Sequence, residues 1–371
     1  MDFTITRFGD FALFKYGKMP KKSEIKENGK YPIYSGYRYV GYYDDYNTEA
    51  NQLIIVARGV GGTGDVKLTK ERCYLTNLSI SAKIDESVVL PQYLYYYFSL
   101  RNLRYLDSGS AQSQITISDL EKVEIPLPNI ESQMRIVGCL SMLDYKISTN
   151  EMINNNLEQQ AQAIFANEFL SLDMLPDGWK QASLIDIADY LNGLAMQKYR
   201  PTADESGIPV LKIKELRQGC CDDNSELCSP SIKSDYIIHD GDVIFSWSGS
   251  LLVDFWCGGI CGLNQHLFKV TSSKYDKWFY YAWTKHHLDR FVAVAADKAT
   301  TMGHIKRDEL AKAEVLIPNE TDYNRIGALL QSIYEMIISN RIENKKLAAT
   351  RDTLLPKLMN GEIDMSEVDY E

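Results

Sequence analysis

The chain has 371 residues, 45% of them hydrophobic and 24% charged, with a formal net charge of −10. That length allows two or three domains with their own cores, and the balance excludes a disordered or fibrous chain. No apolar run approaches the ~20 residues of a membrane helix. The start MDFTITRFGD lacks the basic and apolar stretches of a signal peptide, and seven cysteines, an odd number, suit free thiols in a reducing compartment. The expectation is a cytoplasmic protein with no membrane partner.

Residues 1–128 read as a first globular unit. Short β-like runs (QLIIVAR, LSISAKI, VEIPLP) are separated by turn residues such as Gly61-Gly62, and the aromatic stretch YLYYYFSLRNL reads as a buried helix. Residues 129–171 read as one long helix, in which Ile136, Leu140, Leu143, Ile147, Leu157 and Ile164 recur at three- and four-residue steps. Residues 172–318 form a second unit with the runs IPVLKIK, DVIFSW, HLFKV and AEVLIP and a second aromatic helix, WFYYAWTKHHL. Residues 319–371 hold another striped helix (Ile326, Leu330, Ile333, Ile337, Leu347, Leu354, Leu358) and a short acidic tail. Each helix of about forty residues spans roughly 60 Å.

The chain contains itself twice. ITISDLEKVEIPLP at Ile115–Pro128 returns as IKRDELAKAEVLIP at Ile305–Pro318, a shift of 190 (305 − 115) that persists at Arg135/Arg325, Leu140/Leu330, Asn150/Asn340 and Asn154/Asn344. The unit starts FGDFALFKYG and LIDIADYLNG align with a shift of 176 (186 − 10), so the second unit carries about fourteen extra residues, placed in its middle loops. A chain that enters the second unit by one striped helix and leaves it by another predicts that the stripes pair antiparallel, with a unit at each end of the rod. Asn150, Asn154, Asn340 and Asn344 fall on or beside the stripe, either fixing register in the seam or lying on the exposed face. Two similar surfaces related by a pseudo-twofold axis suit a DNA duplex.

The net charge by itself speaks against nucleic acid, but its distribution is uneven. Residues 1–128 hold 16 Lys+Arg against 15 Asp+Glu, and residues 176–318 hold 16 against 19, so the acid sits disproportionately on the helices and the globular units are near neutral. A local basic cluster is all that a DNA face requires. Lys15, Lys18, Lys21, Lys22, Lys26 and Lys30 offer one, or else a solvated loop.

The runs QITISDLEKVEIPLPNIESQMRIV, LPDGWKQASLIDIA and LLPKLMNGEID resemble those of the DNA-specificity subunits of type I restriction–modification systems. The resemblance covers essentially the whole chain. It implies an α+β protein with two similar α/β target-recognition domains (1–128 and 172–318), joined by two long antiparallel coiled-coil helices in a pseudo-twofold arrangement. It further implies a non-catalytic subunit whose domains each read one half of a bipartite site in double-stranded DNA. Two modification subunits would sit on the helices and methylate adenine with S-adenosylmethionine, joined by restriction subunits that translocate DNA. S-adenosylmethionine, ATP and Mg then belong to partner subunits, with no cofactor or metal in this chain. The helix starts would meet the modification subunits through Gln133 and Arg135, and through Tyr323 and Arg325. The family's Pro-Leu-x-Glu-Gln-like start is altered here: NIESQMRI keeps the glutamine as Gln133, whereas NETDYNRI has Tyr323 there.

The loops before the repeated motif are the leading base-reading candidates: Gln112, Ser113, Gln114 and Thr116 in the first unit, and Lys298, Thr300, Thr301, His304 and Lys306 in the second. Glutamine pairs bidentately with adenine. Further DNA-binding candidates are Lys18, Lys21, Lys22, Arg38 and Arg58, with Tyr37 and Tyr39 beside them, and Lys198, Arg200, Lys214, Arg217 and Trp247. The segment GVGGTG at Gly59–Gly64 has dinucleotide-fingerprint spacing, but the alternating run DVKLTKERCYLT follows it, so a hairpin loop is expected. Cys220, Cys221, Cys228, Cys257 and Cys261 with His266 lack the CxxC spacing of a zinc site. The Asn/Asp-Pro-Pro-aromatic motif of adenine methyltransferases is missing, which argues against a solitary methyltransferase; the duplicated domains with divergent loops argue against a coiled-coil adaptor. The specificity subunit of a related type IIB-like system with a fused nuclease–methylase partner is the alternative within the same class.

Overall fold

The computed structural model describes residues 2–36, 38–59, 62–107, 114–297 and 307–365. The chain divides into two compact units, Met1–Asp144 with Ala349–Glu371, and Tyr145–Ala348. The division falls within both long helices, so each unit takes part of each helix.

In the first unit, β1 (Thr4–Arg7) pairs antiparallel with β9 (Glu124–Leu127), which ties the start of the domain to its end. Between them lie two sheets. One has the order β2 (Ala12–Tyr16), β8 (Ser79–Ile84), β5 (Leu53–Val56), β6 (Val66–Leu68); the other has β4 (Arg38–Tyr43), β3 (Tyr31–Ser35), β7 (Tyr74–Leu75). All four residues of β5, LIIV, are buried, as an uninterrupted apolar run requires of an internal strand. Helix α1 (Pro91–Leu100) lays Tyr93, Leu94, Tyr97 and Phe98 into one core with Phe8, Leu53, Ile55 and Ile80. Pro91 opens that helix, where its missing N–H is not needed.

The second unit repeats this plan. β10 (Lys180–Ser183) pairs with β19 (Glu314–Ile317), and the register Lys180↔Ile317 is Thr4↔Leu127 displaced by the sequence shifts (180 − 4 = 176, 317 − 127 = 190). One sheet has the order β11 (Asp189–Asn192), β18 (Leu267–Thr271), β15 (Val243–Ser246), β16 (Leu252–Phe255); the other has β13 (Leu227–Cys228), β12 (Ile208–Leu211), β17 (Cys261–Leu263), β14 (Ile237–Ile238). Helix α3 (Lys277–His286) buries Trp278, Phe279, Tyr281 and Trp283. Most of the extra residues sit in one place. The shift is 177 at Val210/Ile33 (210 − 33) and 190 at Val243/Leu53 (243 − 53), so the insertion replaces β4 by the helix Ile213–Gln218 and the short strands after it.

The strands on either side of the glycine-rich segment, β5 and β6, pair antiparallel as a hairpin, with residues 60 and 61 outside the described residues. Gly59, Gly62 and Gly64 have φ of 129, 100 and 89°, and the antiparallel strand β6, not a helix, follows. A dinucleotide or P-loop reading is thereby excluded. The seven cysteines are free thiols, and among the described residues no group of three or more His, Cys, Asp or Glu could hold a metal. No described helix is long and apolar enough to cross a membrane.

The long helices are α2 (Ile130–Phe165), prolonged by a π-helical turn Ala166–Leu170, and α4 (Glu320–Met359). Both start the same way after a proline: Asn129 Oδ1 accepts the Ser132 N–H at 2.8 Å, and Asn319 Oδ1 accepts the Asp322 N–H at 2.9 Å. Asparagine at a helix start satisfies an N–H that has no intrahelical partner. Within the first unit Ile136, Leu140, Leu355, Leu358 and Met359 share the core, and Arg351 Nη1 meets Asp144 Oδ1 at 2.8 Å. Within the second unit Ile326, Leu330, Tyr334 and Ile337 do the same with Ala161 and Phe165. The asparagines lie in this seam. Asn150 Nδ2 donates to Asn344 Oδ1 at 2.8 Å, and Asn340 Nδ2 donates to Asn154 Oδ1 at 2.8 Å. Partners that run 150 with 344 and 154 with 340 establish antiparallel pairing, and the shift of 190 exchanges the two pairs. Asn150 and Asn154 are 1% and 6% exposed, so the exposed-face alternative falls.

Candidate nucleic-acid interface

The helix starts are built for internal fastening. Gln133 is 0% exposed. Its Oε1 accepts the Leu90 N–H at 3.0 Å, and its Nε2 donates to Val88 O at 3.1 Å and Pro128 O at 2.9 Å. Leu90 is the residue before α1, so Gln133 satisfies the first orphan donor of that helix. Tyr323 performs the same task differently. Its Oη accepts the N–H of Asp276, the residue before α3, at 2.8 Å and donates to Asp276 Oδ2 at 3.1 Å, while its ring packs on Trp278 and Phe279. The replacement of glutamine by tyrosine thus preserves a hydrogen bond. A fully buried amide with its bonds made inside the unit presents nothing outward.

The two arginines also make internal bonds. Arg135 donates to Met365 O and to Glu131, both at 2.8 Å, holding the returning chain. Arg325 makes a bidentate pair with Glu168 (2.9 and 2.8 Å) and reaches Asp322 at 3.3 Å. The Arg325 guanidinium holds the Glu168 carboxyl below the usual carboxylate range. The Arg325 side chain is half-exposed.

In the second unit a groove of about 460 Å³ is lined by the polar Gln197, Arg200, Lys212, Lys214, Glu226, Asn264, Gln265 and His266 and the apolar Met196 and Ile213. Glu226 bridges Lys212 at 2.5 Å and Arg200 at 3.2 Å, and Lys214 pairs with Asp222 at 3.2 Å. Lys212, then Arg200, holds the Glu226 carboxyl below its usual range. Three cations paired with two carboxylates, Glu226 and Asp222, and interleaved with amides and an imidazole can hold phosphates and reach base edges together. Arg200 and Lys214 were among the candidates. Lys198 is exposed two residues from Arg200, and Arg217 is exposed on the helix Ile213–Gln218. Trp247 is half-buried: its Nε1 donates to Asn192 Oδ1 at 3.0 Å and its ring lies against Phe268 and His266, so packing occupies it. Gln197, Lys212, Asn264, Gln265 and His266 had not been singled out; the repeat, read through LTNLSI and LNQHLF, would have pointed to the last three.

In the first unit two of the basic candidates, Lys18 and Arg58, lie on backbone that bonds to the turn Leu75–Ser79. The Lys18 N–H donates to Leu75 O at 2.9 Å, the Arg58 N–H donates to Leu78 O at 3.3 Å, and the Ile115 N–H, next to Gln114, donates to Ala57 O at 2.8 Å. Lys18, Arg58 and Gln114 are therefore brought to one region by backbone bonds. Lys21 pairs with Glu24 at 3.2 Å, Lys22 is exposed beside it, and Arg38 is exposed at the start of β4. Thr116 is committed elsewhere: its hydroxyl caps the short helix Ile117–Leu120, donating to Asp119 Oδ2 at 2.5 Å and accepting the Asp119 N–H at 3.2 Å. Thr116 and Asp119 thereby form a capping box. Tyr37, Gln112, Ser113, Lys298, Thr300, Thr301, His304 and Lys306 lie outside the described residues.

The family model of the type I restriction modification DNA specificity domain matches twice, over residues 1–159 and 176–349. The chain is 27% identical over 322 residues to the MjaIX specificity subunit of Methanocaldococcus jannaschii, covering 79% of this chain and 74% of its relative. It is 20% identical over 376 residues to the HindI specificity subunit of Haemophilus influenzae, covering 78% and 82%. The crystal structure of a type I restriction–modification S subunit from M. genitalium has the same fold, with a TM-score of 0.66 over 96% of both chains at 17% identity. With two tandem copies of the domain spanning most of its length, the chain belongs to the DNA-specificity family of type I restriction–modification systems.

Proposed function

We propose that each domain reads one half of a bipartite site in double-stranded DNA, and that the paired helices set the spacing and carry two modification subunits. The observation that carries this reading is the duplication itself: two domains with matching strand registers, and a seam whose asparagine pairs exchange under the same shift of 190. Chemistry on the base would belong to the partners, with S-adenosylmethionine in the modification subunits and ATP and Mg in restriction subunits. This chain would contribute position. Its cations neutralise phosphates, which gives affinity that falls with salt, and its amides supply sequence preference. The partners would meet the outer faces of α2 and α4, since Gln133 and Tyr323 are spent on internal bonds.

The test is exchange of residues 1–128 for the first domain of another family member, in a complex assembled with its modification subunits. One half of the methylated motif should change and the other persist. Change in both halves, or in neither, would refute modular reading.

A further inference from the structure

Two side-chain amides occupy the same place in the two domains and are used by neither. Asn77 Oδ1 and Gln265 Oε1 are buried without a hydrogen-bond donor, and neither amide bonds to any other described residue. A buried amide oxygen left unpaired is unfavourable, and natural folds pair nearly all such groups. Other such atoms occur, Asn150 Oδ1 in the helix seam among them, but Asn77 and Gln265 stand at matching places in the two domains, 188 residues apart (265 − 77).

The backbone around the two residues is duplicated in detail. The Lys18 N–H reaches Leu75 O at 2.9 Å, and the Leu194 N–H reaches Leu263 O at 2.9 Å. The Gly17 N–H reaches Ser79 O at 3.0 Å, and the Gly193 N–H reaches Leu267 O at 3.0 Å. A Cβ on Gly17 would stand 2.2 Å from Thr76 O, and one on Gly193 would stand 2.2 Å from Asn264 O. The crossing segment therefore passes too close for any other residue, and both turns are pinned from the same side. Each turn holds its amide in a fixed place, yet the fold makes no use of that amide.

The surroundings supply what a nucleic-acid contact needs. Gln265 borders the groove with Arg200, Lys212 and Lys214. The turn of Asn77 is flanked by Lys18 and Arg58. Cations around an amide that is free to turn about its last side-chain bond, breaking no internal bond, suit phosphate contacts around one base contact. The amide group matches adenine, accepting from N6–H and donating to N7.

We infer that Asn77 and Gln265 are the equivalent specificity-determining amides of the two half-sites, each reading one base, with adenine the geometric match. This rests on the recognition reading above. The experiment is genome-wide mapping of methylated adenines in a host without other adenine methylation, expressing this chain with its modification subunits. The variants are Asn77→Ala and Gln265→Met, the latter keeping length without the amide. Each variant is expected to relax one position in a different half of the motif, with discrimination there falling roughly 5- to 150-fold. If wild type yields no two-part motif, the recognition reading falls and this inference with it. If wild type yields one and both variants reproduce it unchanged, only the role of the amides is overturned. Should a variant abolish methylation, its melting temperature and DNA affinity decide. Melting lowered by more than a few degrees makes the amide structural, and folded protein weakened equally on all duplexes makes it a backbone contact; either result overturns base reading.

Discussion

Gln133→Leu should cost the first unit far more than its place in a candidate partner surface would suggest. The substitution keeps bulk but removes three hydrogen bonds, to Leu90 N–H, Val88 O and Pro128 O, at a position with 0% exposure. Each such bond contributes a net of about 1 kcal/mol, and each buried group left unpaired costs about 1–3 kcal/mol. Some relaxation toward water is expected, so the sum is roughly 3–6 kcal/mol. For a unit of this size each kcal/mol moves the midpoint by about 2–4 °C. Calorimetry of the full chain should then show the first unit's transition lowered by at least about 6 °C. Tyr323→Phe is the matched control in the second unit: it removes one hydroxyl, leaves the ring on Trp278 and Phe279, and should cost only about 1–2 kcal/mol. An unchanged midpoint for Gln133→Leu, with affinity for the modification subunit lost, would refute the fastening role and restore Gln133 as a partner contact.

Leu330→Asp places a carboxylate at a fully buried seam position, stricter than the half-buried Leu143 or Ile333, and should destabilise the second unit by at least about 4 kcal/mol in urea titrations. Arg200→Ala should weaken binding of the assembled complex to all duplexes alike and flatten the dependence of log affinity on log salt by about one counterion. Acid should weaken the second unit through His287. Burial depresses this imidazole below its ordinary value of 6.5, the neighbouring His286 is depressed in the same way, and the His287 Nε2 lies 2.7 Å from Glu314 O. The unfolded chain takes up the proton first, so this contribution is complete above the unfolded value and is lost as pH falls through it toward the lower folded value. Urea midpoints measured downward from pH 7 should therefore fall less steeply in His287→Gln than in wild type, and equal slopes would remove His287 as the cause.

What local pattern carries was legible at once. Alternation and apolar runs marked QLIIVAR and DVIFSW as strands, and proline followed by three- and four-residue periodicity marked both long helices, because strand and helix faces are written within a few residues of each other. The repeat told more than any motif. The shifts of 176 and 190 are the same shifts that relate the β1–β9 and β10–β19 registers, since a duplicated sequence repeats its pairing as well as its elements. The insertion was foreseen in number but only broadly in place. That four asparagines bond across the seam, that Gln133 and Tyr323 close the starts of two aromatic helices, and that Lys18 and Arg58 flank the turn of Asn77 were decided by the tertiary structure alone. Each of these depends on groups between 20 and 194 positions apart in the chain. A polar residue's sequence neighbours state what it can bond, but only the folded chain decides whether a partner stands within 3 Å of it or whether it is left free for a ligand.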